Sequence, residues 1–152
     1  MVRGEGTAII RGVGPEDVFD FILDPDQYTR ADTKIVRITK LADTPDGRIA
    51  REDGKFLGRL PGSVVTRYRW DRPRRIEVML ERGFPRRLNA WFEIEPVEGG
   101  TRVRHVEEVD IGRGPLGWLH DQIAGRWFAE AVRREVAEIA RLLEAGERGR
   151  RA

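Results

Sequence analysis

The sequence predicts an α+β domain: a first strand, two short helices, a six-stranded antiparallel meander that completes a seven-stranded curved sheet, and one long C-terminal helix. Three observations carry this. Between Lys34 and Ile111, apolar residues recur with period two in short runs separated by Gly, Pro and Asp. From Leu116 to Ala145 they recur at spacings of three and four. Gly14-Pro15-Glu16-Asp17 and Asp24-Pro25 each place proline in a first helical turn with acids beside it.

In chain order, EGTAIIR (residues 5–11) alternates as a strand, a short helix runs from Pro15 through Leu23, and PDQYTRA forms a second brief helix ending near Asp32. The runs KIVRITKLA, RIAREDGKFL, SVVTRYRW, RIEVMLE, RLNAWFEIE and TRVRHVEEVDI follow as strands. Their breaks, DTPDG, GRLPGS, DRPR, RGFPR and PVEGG, carry the residues that tight turns need and are short enough for hairpins. Gly54, inside the second run, marks a bulge that helps the sheet curl. The helix stripe of Leu119, Ile123, Trp127 or Phe128, Val132, Val136, Ile139 and Leu143 is expected to lie on the sheet; Gly125 within it costs about 1 kcal/mol against alanine and marks a place for a bend. Residues 1–146 form one domain, and the basic segment 147–152 reads as a disordered tail.

Composition excludes several functions. The longest apolar runs, such as TAII and AWF, are too short to span a membrane, and MVRGEGTAII lacks the apolar core of a signal peptide, so a cytoplasmic protein is expected. With no cysteine and two distant histidines, neither a disulfide, a thiolate nucleophile nor a metal site is expected. The chain has no nucleophile elbow, phosphate-binding glycine loop or dinucleotide fingerprint, and no cofactor is expected. Arg59 to Arg87 hold nine arginines against Asp71, Glu77 and Glu81, which fits either an anionic partner or outward strand positions facing water. The interleaved aromatics match no RNA-binding signature, so nucleic acid is not an expected partner.

Alternation turns Val64, Thr66, Tyr68 and Trp70, then Ile76, Val78 and Leu80, then Leu88, Ala90, Phe92 and Ile94, toward the concave face. Val103, His105 and Glu107 share that face on the last strand, so a histidine and a carboxylate stand among apolar residues. Such a lining suits a small-molecule pocket made of Thr66, Tyr68, Trp70, Val78, Leu80, Ala90, Phe92, Ile94, Val103 and His105, with Ile123 and Trp127 from the helix; a filled core gives the same string. The catalytic candidates are His105 as general acid or base, Glu107 as its orienting partner and Tyr68 as a donor to a carbonyl. His120 reads as a surface residue, and Met79 and Trp91 fall on the outer face.

GPEDVFDFILDPDQY and FEIEPVEGGTRV, within this element order, resemble the helix-grip proteins of the Bet v 1, START and polyketide-cyclase superfamily over nearly the whole chain. The resemblance implies a helix-grip fold that holds a lipid-, fatty-acid- or polyketide-like ligand between sheet and long helix, and in a minority of members a cyclase or dehydratase-like activity. It also implies that GRLPGS, RGFPRR and GRGPLGW meet at a pocket mouth, presenting Leu60, Phe84, Leu116 and Trp118 beside Arg59, Arg86, Arg87 and Arg113. That rim suits an amphipathic ligand with an acidic head, or transient contact with an anionic membrane. The expected function is therefore binding of a small hydrophobic or amphipathic ligand by a monomer or homodimer. An enzyme acting on a carbonyl substrate and a partner-docking module are the alternatives.

Overall fold

The computed structural model describes residues 1–56 and 59–151, without the side chains of Phe56 and His120. Leu57 and Gly58, expected in the second meander run and the loop after it, Ala152 of the expected tail and the surface placement expected of His120 lie outside the described residues. The elements are β1 (Val2–Arg11), α1 (Pro15–Leu23), α2 (Pro25–Ala31), β2 (Ile35–Thr44), β3 (Gly47–Phe56), β4 (Leu60–Asp71), β5 (Arg75–Gly83), β6 (Arg87–Val97), β7 (Gly100–Asp110) and α3 (Pro115–Arg151). This is the order that the sequence predicts. Proline starts both short helices, and Asp24 caps α2 by accepting from the backbone N–H of Asp26 (2.9 Å) and Gln27 (3.2 Å).

The seven strands pair antiparallel in the order β1-β7-β6-β5-β4-β3-β2, so β1 and β2 are the edges. Gly54 is not itself the bulge. The extra residues fall on β2 at Val36 and Leu41 and on β5 at Glu81, while Gly54 lets the Lys34 carbonyl approach to where its Cβ would stand, 2.3 Å away. Pairing of β5 with β6 runs only from Arg75↔Glu93 to Met79↔Asn89, so the two strands part toward the loop that joins them.

α3 lies along β1, and small residues set how closely. Cβ atoms on Gly4 and Gly6 would stand 2.6 Å from Val132 Cγ2 and 3.1 Å from Val136 Cγ2, contacts that only glycine avoids. The main core joins Ile10, Phe19, Ile76, Val103, Val136 and Ile139; a smaller one joins Val2, Phe128 and Val132, with Trp127 and Val109 packed against it. The first turns of α3 depart from the expected stripe, because Leu119 and Ile123 are 45% and 58% exposed. The tight approach to α3 turns Gly117 inward, with the Gly112 carbonyl 2.1 Å from where its Cβ would be, and the stripe near it rotates toward water. Phe128, rather than Trp127, is the fully buried aromatic. At the other end the expected disordered tail is instead helical through Arg151, where Glu147 pairs with Arg150 (3.2 Å) and Arg151 (3.1 Å) at helical spacing. Among the described residues, no helix is long and apolar enough to cross a membrane.

Candidate functional site: a buried charge cluster below an open apolar floor

His105 sits mid-strand on β7 between Gly6 of β1 and Phe92 of β6. Its ring stacks on Phe92 with centroids 3.8 Å apart and planes 2° from parallel. Because Gly4 and Gly6 allow α3 to approach, Glu135 reaches down onto the same histidine. His105 Nδ1 lies 3.0 Å from the Trp91 carbonyl, and Nε2 lies 3.0 Å from Glu107 Oε1 and 3.3 Å from Glu135 Oε1. All three partners are acceptors, so both ring nitrogens donate and the ring is an imidazolium.

The other side of the cluster comes from α2 and the turn after it. Tyr28 donates its hydroxyl to Glu135. Lys34 Nζ contacts Glu135 Oε2 at 2.5 Å, Asp32 Oδ1 at 3.1 Å and Glu107 Oε1 at 3.2 Å. Three carboxylates thus share two cations. Burial alone would lower the His105 pKa, but Glu135 and Glu107 overcome it and push it up to about 10. Glu135 would be raised by burial, yet Lys34 and His105 hold it well below the ordinary carboxylate range. Burial and the Glu135 charge push Asp32 up to about 7 against the pull of Lys34. Lys34 is raised by its three carboxylates despite desolvation.

His105, Glu107 and Glu135 bring one donor atom each within 4.8 Å, a spacing that suits a metal ion. The chemistry of the set favours the cations already present. The Lys34 ammonium bridges both carboxylates, and His105 gives protons where a metal ligand must offer a lone pair.

A second polar group lies three strand spacings from Glu107, about 14 Å along the sheet. Tyr68 donates to Glu52 Oε1, as does Thr66 at 3.0 Å. Arg48 stacks over the Tyr68 ring at 4.6 Å and donates to the Leu23 carbonyl at 2.8 Å. Burial raises the Glu52 pKa, with the Tyr68 and Thr66 hydrogen bonds working against it.

Burial along the concave face is graded. On β4, β5, β6 and β7 the inward residues nearest α3's N-terminal end, Val64, Leu80, Leu88 and Val109, are half-buried, whereas the next ones along, Thr66, Val78, Ala90 and Glu107, are buried. An apolar floor is therefore open at one end and closes inward onto the charge cluster. Within the cluster, Lys34 and Glu107 alone keep appreciable side-chain exposure, 12% and 10%, against none for Asp32 and Glu135. The two members with residual exposure thus stand next to each other where the floor ends.

The expected site residues divide accordingly. Thr66, Tyr68, Val78, Ala90, Phe92, Ile94, Val103 and His105 are buried on the concave face, and Trp70 and Leu80 are half-buried there. Ile123 is not part of this lining, because it faces water, and Trp127 packs with the smaller core beside Val2 and Phe128. Tyr68 is not beside His105; its hydroxyl is committed to Glu52. Nor does His105 offer a free nitrogen to a ligand, since Trp91 and the two carboxylates take both. Two open surface depressions, over Gly125, Trp127 and Arg133 on α3 and over Leu41, Val65 and Arg82 on the outer sheet, also lie outside the expected lining. At the expected mouth, Leu60, Phe84, Leu116 and Trp118 are 59%, 71%, 78% and 65% exposed, and Arg59, Arg86 and Arg87 are exposed beside them.

Sequence reasoning missed Tyr28, Asp32, Lys34, Glu135, Arg48 and Glu52. Three of these had a readable signal. Glu135 interrupts an apolar stripe between Val132 and Ile139, and Arg48, Ala50 and Glu52 alternate on one strand face, which turns both charges inward with the alanine.

The family described as polyketide cyclase/dehydrase and lipid transport matches residues 1–144. Among curated proteins, none matches. Among solved structures, TTHA0849 from Thermus thermophilus superposes with a TM-score of 0.81 at 16% identity, over 95% of this chain and 98% of that one. A START superfamily protein from Mycobacterium smegmatis gives 0.71 at 19% identity, over 92% and 98%. The Zhui aromatase/cyclase from Streptomyces sp. R1128 gives 0.73 at 12% identity, over 93% of each chain. At these identities the likeness establishes the helix-grip fold.

Proposed function

The chain belongs to the polyketide cyclase/dehydrase and lipid transport family, and on that premise we propose that it binds a small hydrophobic or amphipathic ligand on the open part of its concave face. The supporting observation is the burial gradient: Val64, Leu80, Leu88 and Val109 keep apolar surface open, and the floor ends at Lys34 and Glu107. The ligand's apolar body covers the floor, and a polar group at its inner end takes a hydrogen bond from Lys34 or gives one to Glu107. Parting of β5 from β6 beside Leu80 and Leu88 leaves room for side chains there to adjust. The test fills the floor. Leu80→Trp and Leu88→Trp should abolish binding of an environment-sensitive fatty-acid or ANS probe while circular dichroism stays unchanged. Unaltered probe binding in both variants, or none by the parent, refutes the site, and mass spectrometry of molecules extracted from the native protein identifies the ligand.

A second reading, an enzyme acting on a carbonyl substrate, is favoured by the 3.2 Å Lys34–Glu107 contact, an acid and a base side by side at the edge of the floor. His105 and Glu135 would then act only through Glu107 and Lys34, by fixing their positions. Turnover that disappears in Glu107→Gln while probe binding persists would establish this reading, and unchanged carbonyl compounds would leave the binder.

A further inference from the structure

The arginine excess read from the sequence resolves into two populations. Over most of the surface, arginines face carboxylates: Arg67 pairs with Glu81, Arg69 with Asp46, Arg72 with Glu16 and Asp20, Arg74 with Asp71, and Arg75 with Glu77 and Glu93. Arg59, Arg82, Arg86, Arg87, Arg113 and Arg126 make no ion pair among the described residues, and all six are exposed; Arg11, Arg30 and Arg148, scattered over the rest of the surface, are likewise exposed and unpaired. The topology gathers these six at one end. Phe56↔Leu60 closes the β3–β4 turn, Val64 pairs with Gly83, Arg87 pairs with Asp110, and the Arg86 side chain lies 4.0 Å from where a Gly112 Cβ would be. The N-terminus of β1 comes there too, with the Met1 amino group 2.6 Å from Asp121 on α3.

The large exposed apolar side chains concentrate at the same end. Leu60, Phe84, Leu116, Trp118, Leu119 and Ile123 are each 45% exposed or more. Leu116, Leu119 and Ile123 follow at spacings of three and four, an apolar helix stripe that is largely exposed among the described residues, and Arg126 continues the same line. A stripe that faces the core further along α3 here faces water.

We propose that this end of the molecule is a docking surface for an anionic lipid membrane. A membrane interface takes up Leu, Phe and Trp side chains at the headgroup boundary while anionic headgroups neutralise guanidinium groups around them. The six unpaired cations select that occupant over a neutral apolar surface. They also disfavour a second copy of the chain, since a two-fold contact through this patch brings like charges together. The surface rims the open end of the interior floor, and membrane contact there does not require the floor to be filled.

The experiment is co-sedimentation with vesicles of phosphatidylcholine alone and of phosphatidylcholine with roughly one-third phosphatidylglycerol, at low and high salt. The parent should bind the anionic vesicles, release them as salt rises and ignore the neutral ones. Arg59→Gln/Arg86→Gln/Arg87→Gln should weaken partitioning about a hundredfold, from about fivefold per charge. Leu116→Ser/Trp118→Ser should weaken it by at least about tenfold at unchanged charge. Both substitutions lie on exposed positions, so the melting temperature should hold. Failure of the parent to bind anionic vesicles at low salt overturns the proposal, as does equal binding by either multiple variant. So does a parent dimer, seen by sedimentation velocity without lipid, that Leu116→Ser/Trp118→Ser dissociates, because the patch then belongs to a second copy. Selective retention of an acidic protein with no vesicle binding likewise assigns the surface elsewhere. The floor is read separately, by the fatty-acid probe on the Leu80→Trp and Leu88→Trp variants, so failure of the floor and failure of vesicle binding are distinguishable.

Discussion

Replacing Glu135 by glutamine tests the charge cluster most directly. The side chain has no exposed surface and accepts from Tyr28, Lys34 and His105. Glutamine has nearly the same shape but offers one acceptor oxygen, and its amide NH2 must then face either the Lys34 ammonium or the Tyr28 and His105 donors. At least one buried donor loses its partner, and two cations lose the carboxylate they share. Breaking a buried pair on one side costs about 3–5 kcal/mol, which is a large part of the stability of a domain of this size. The His105 pKa should fall from about 10, because the Glu135 charge is the largest influence raising it. Urea unfolding followed by circular dichroism gives the first quantity, and an NMR titration of the imidazole gives the second. The double variant Glu135→Leu/Lys34→Met removes a charge of each sign together and should recover much of the loss, since apolar groups of similar volume often replace a buried pair at little cost. A loss below about 1 kcal/mol in Glu135→Gln, or a double variant less stable than the single one, would refute the shared-carboxylate account.

Gly4→Ala should destabilise by about 1–3 kcal/mol, measured by urea unfolding, because its Cβ would lie 2.6 Å from Val132 Cγ2 and 3.3 Å from the Phe128 carbonyl; an unchanged midpoint would mean that α3 does not rest on β1 so closely. Stability should decline from about pH 6 to pH 10, because His105, raised from 6.5 to about 10, contributes fully below the lower value and loses its contribution as pH rises through the upper one. Asp32, raised to about 7, slopes the same way between its unfolded value and neutrality, whereas depressed Glu135 contributes above the carboxylate range and is lost in acid; urea midpoints that rise from pH 6 to pH 9.5 would contradict these assignments.

The fold was legible because its signals are local. Period-two runs, turn residues and proline-led helix starts each act over a few positions, and every predicted strand and helix is present. What the periodicity could not give was rotation. A stripe of three-and-four spacing fixes which residues share a helix face, but Gly117 against the Gly112 carbonyl decides where the first turns of α3 point, and that contact joins a loop to the helix. The charge cluster was half legible for a similar reason. His105 and Glu107 are two apart on one strand, so alternation alone placed them together on the inner face. Their partners come from residues 28–34 and from residue 135, far away in sequence, and are brought in by the sheet's curvature and by two glycines on the edge strand. Tyr68 was misplaced by the converse error, since facing the same side of a sheet does not put two groups within reach when three strand spacings separate them.

The cluster's position bears on why the chain keeps it. Five ionisable groups in an interior are seldom the most stable filling, because well-packed apolar residues commonly match or exceed a buried ion pair. Here the cluster is graded in the same direction as the apolar floor: Glu135, Asp32 and His105 are sealed, while Lys34 and Glu107 keep some exposure where the floor ends. The sealed members fix the geometry of these two. Glu135 and Asp32 keep Lys34 charged, and His105, with its other nitrogen anchored on the Trp91 carbonyl, holds Glu107 in place. A donor and an acceptor fixed in this way spend less conformational entropy on meeting a ligand than two free side chains would. If stability were the cluster's only role, nothing would require its two least buried members to be the ones that stand where the apolar floor ends.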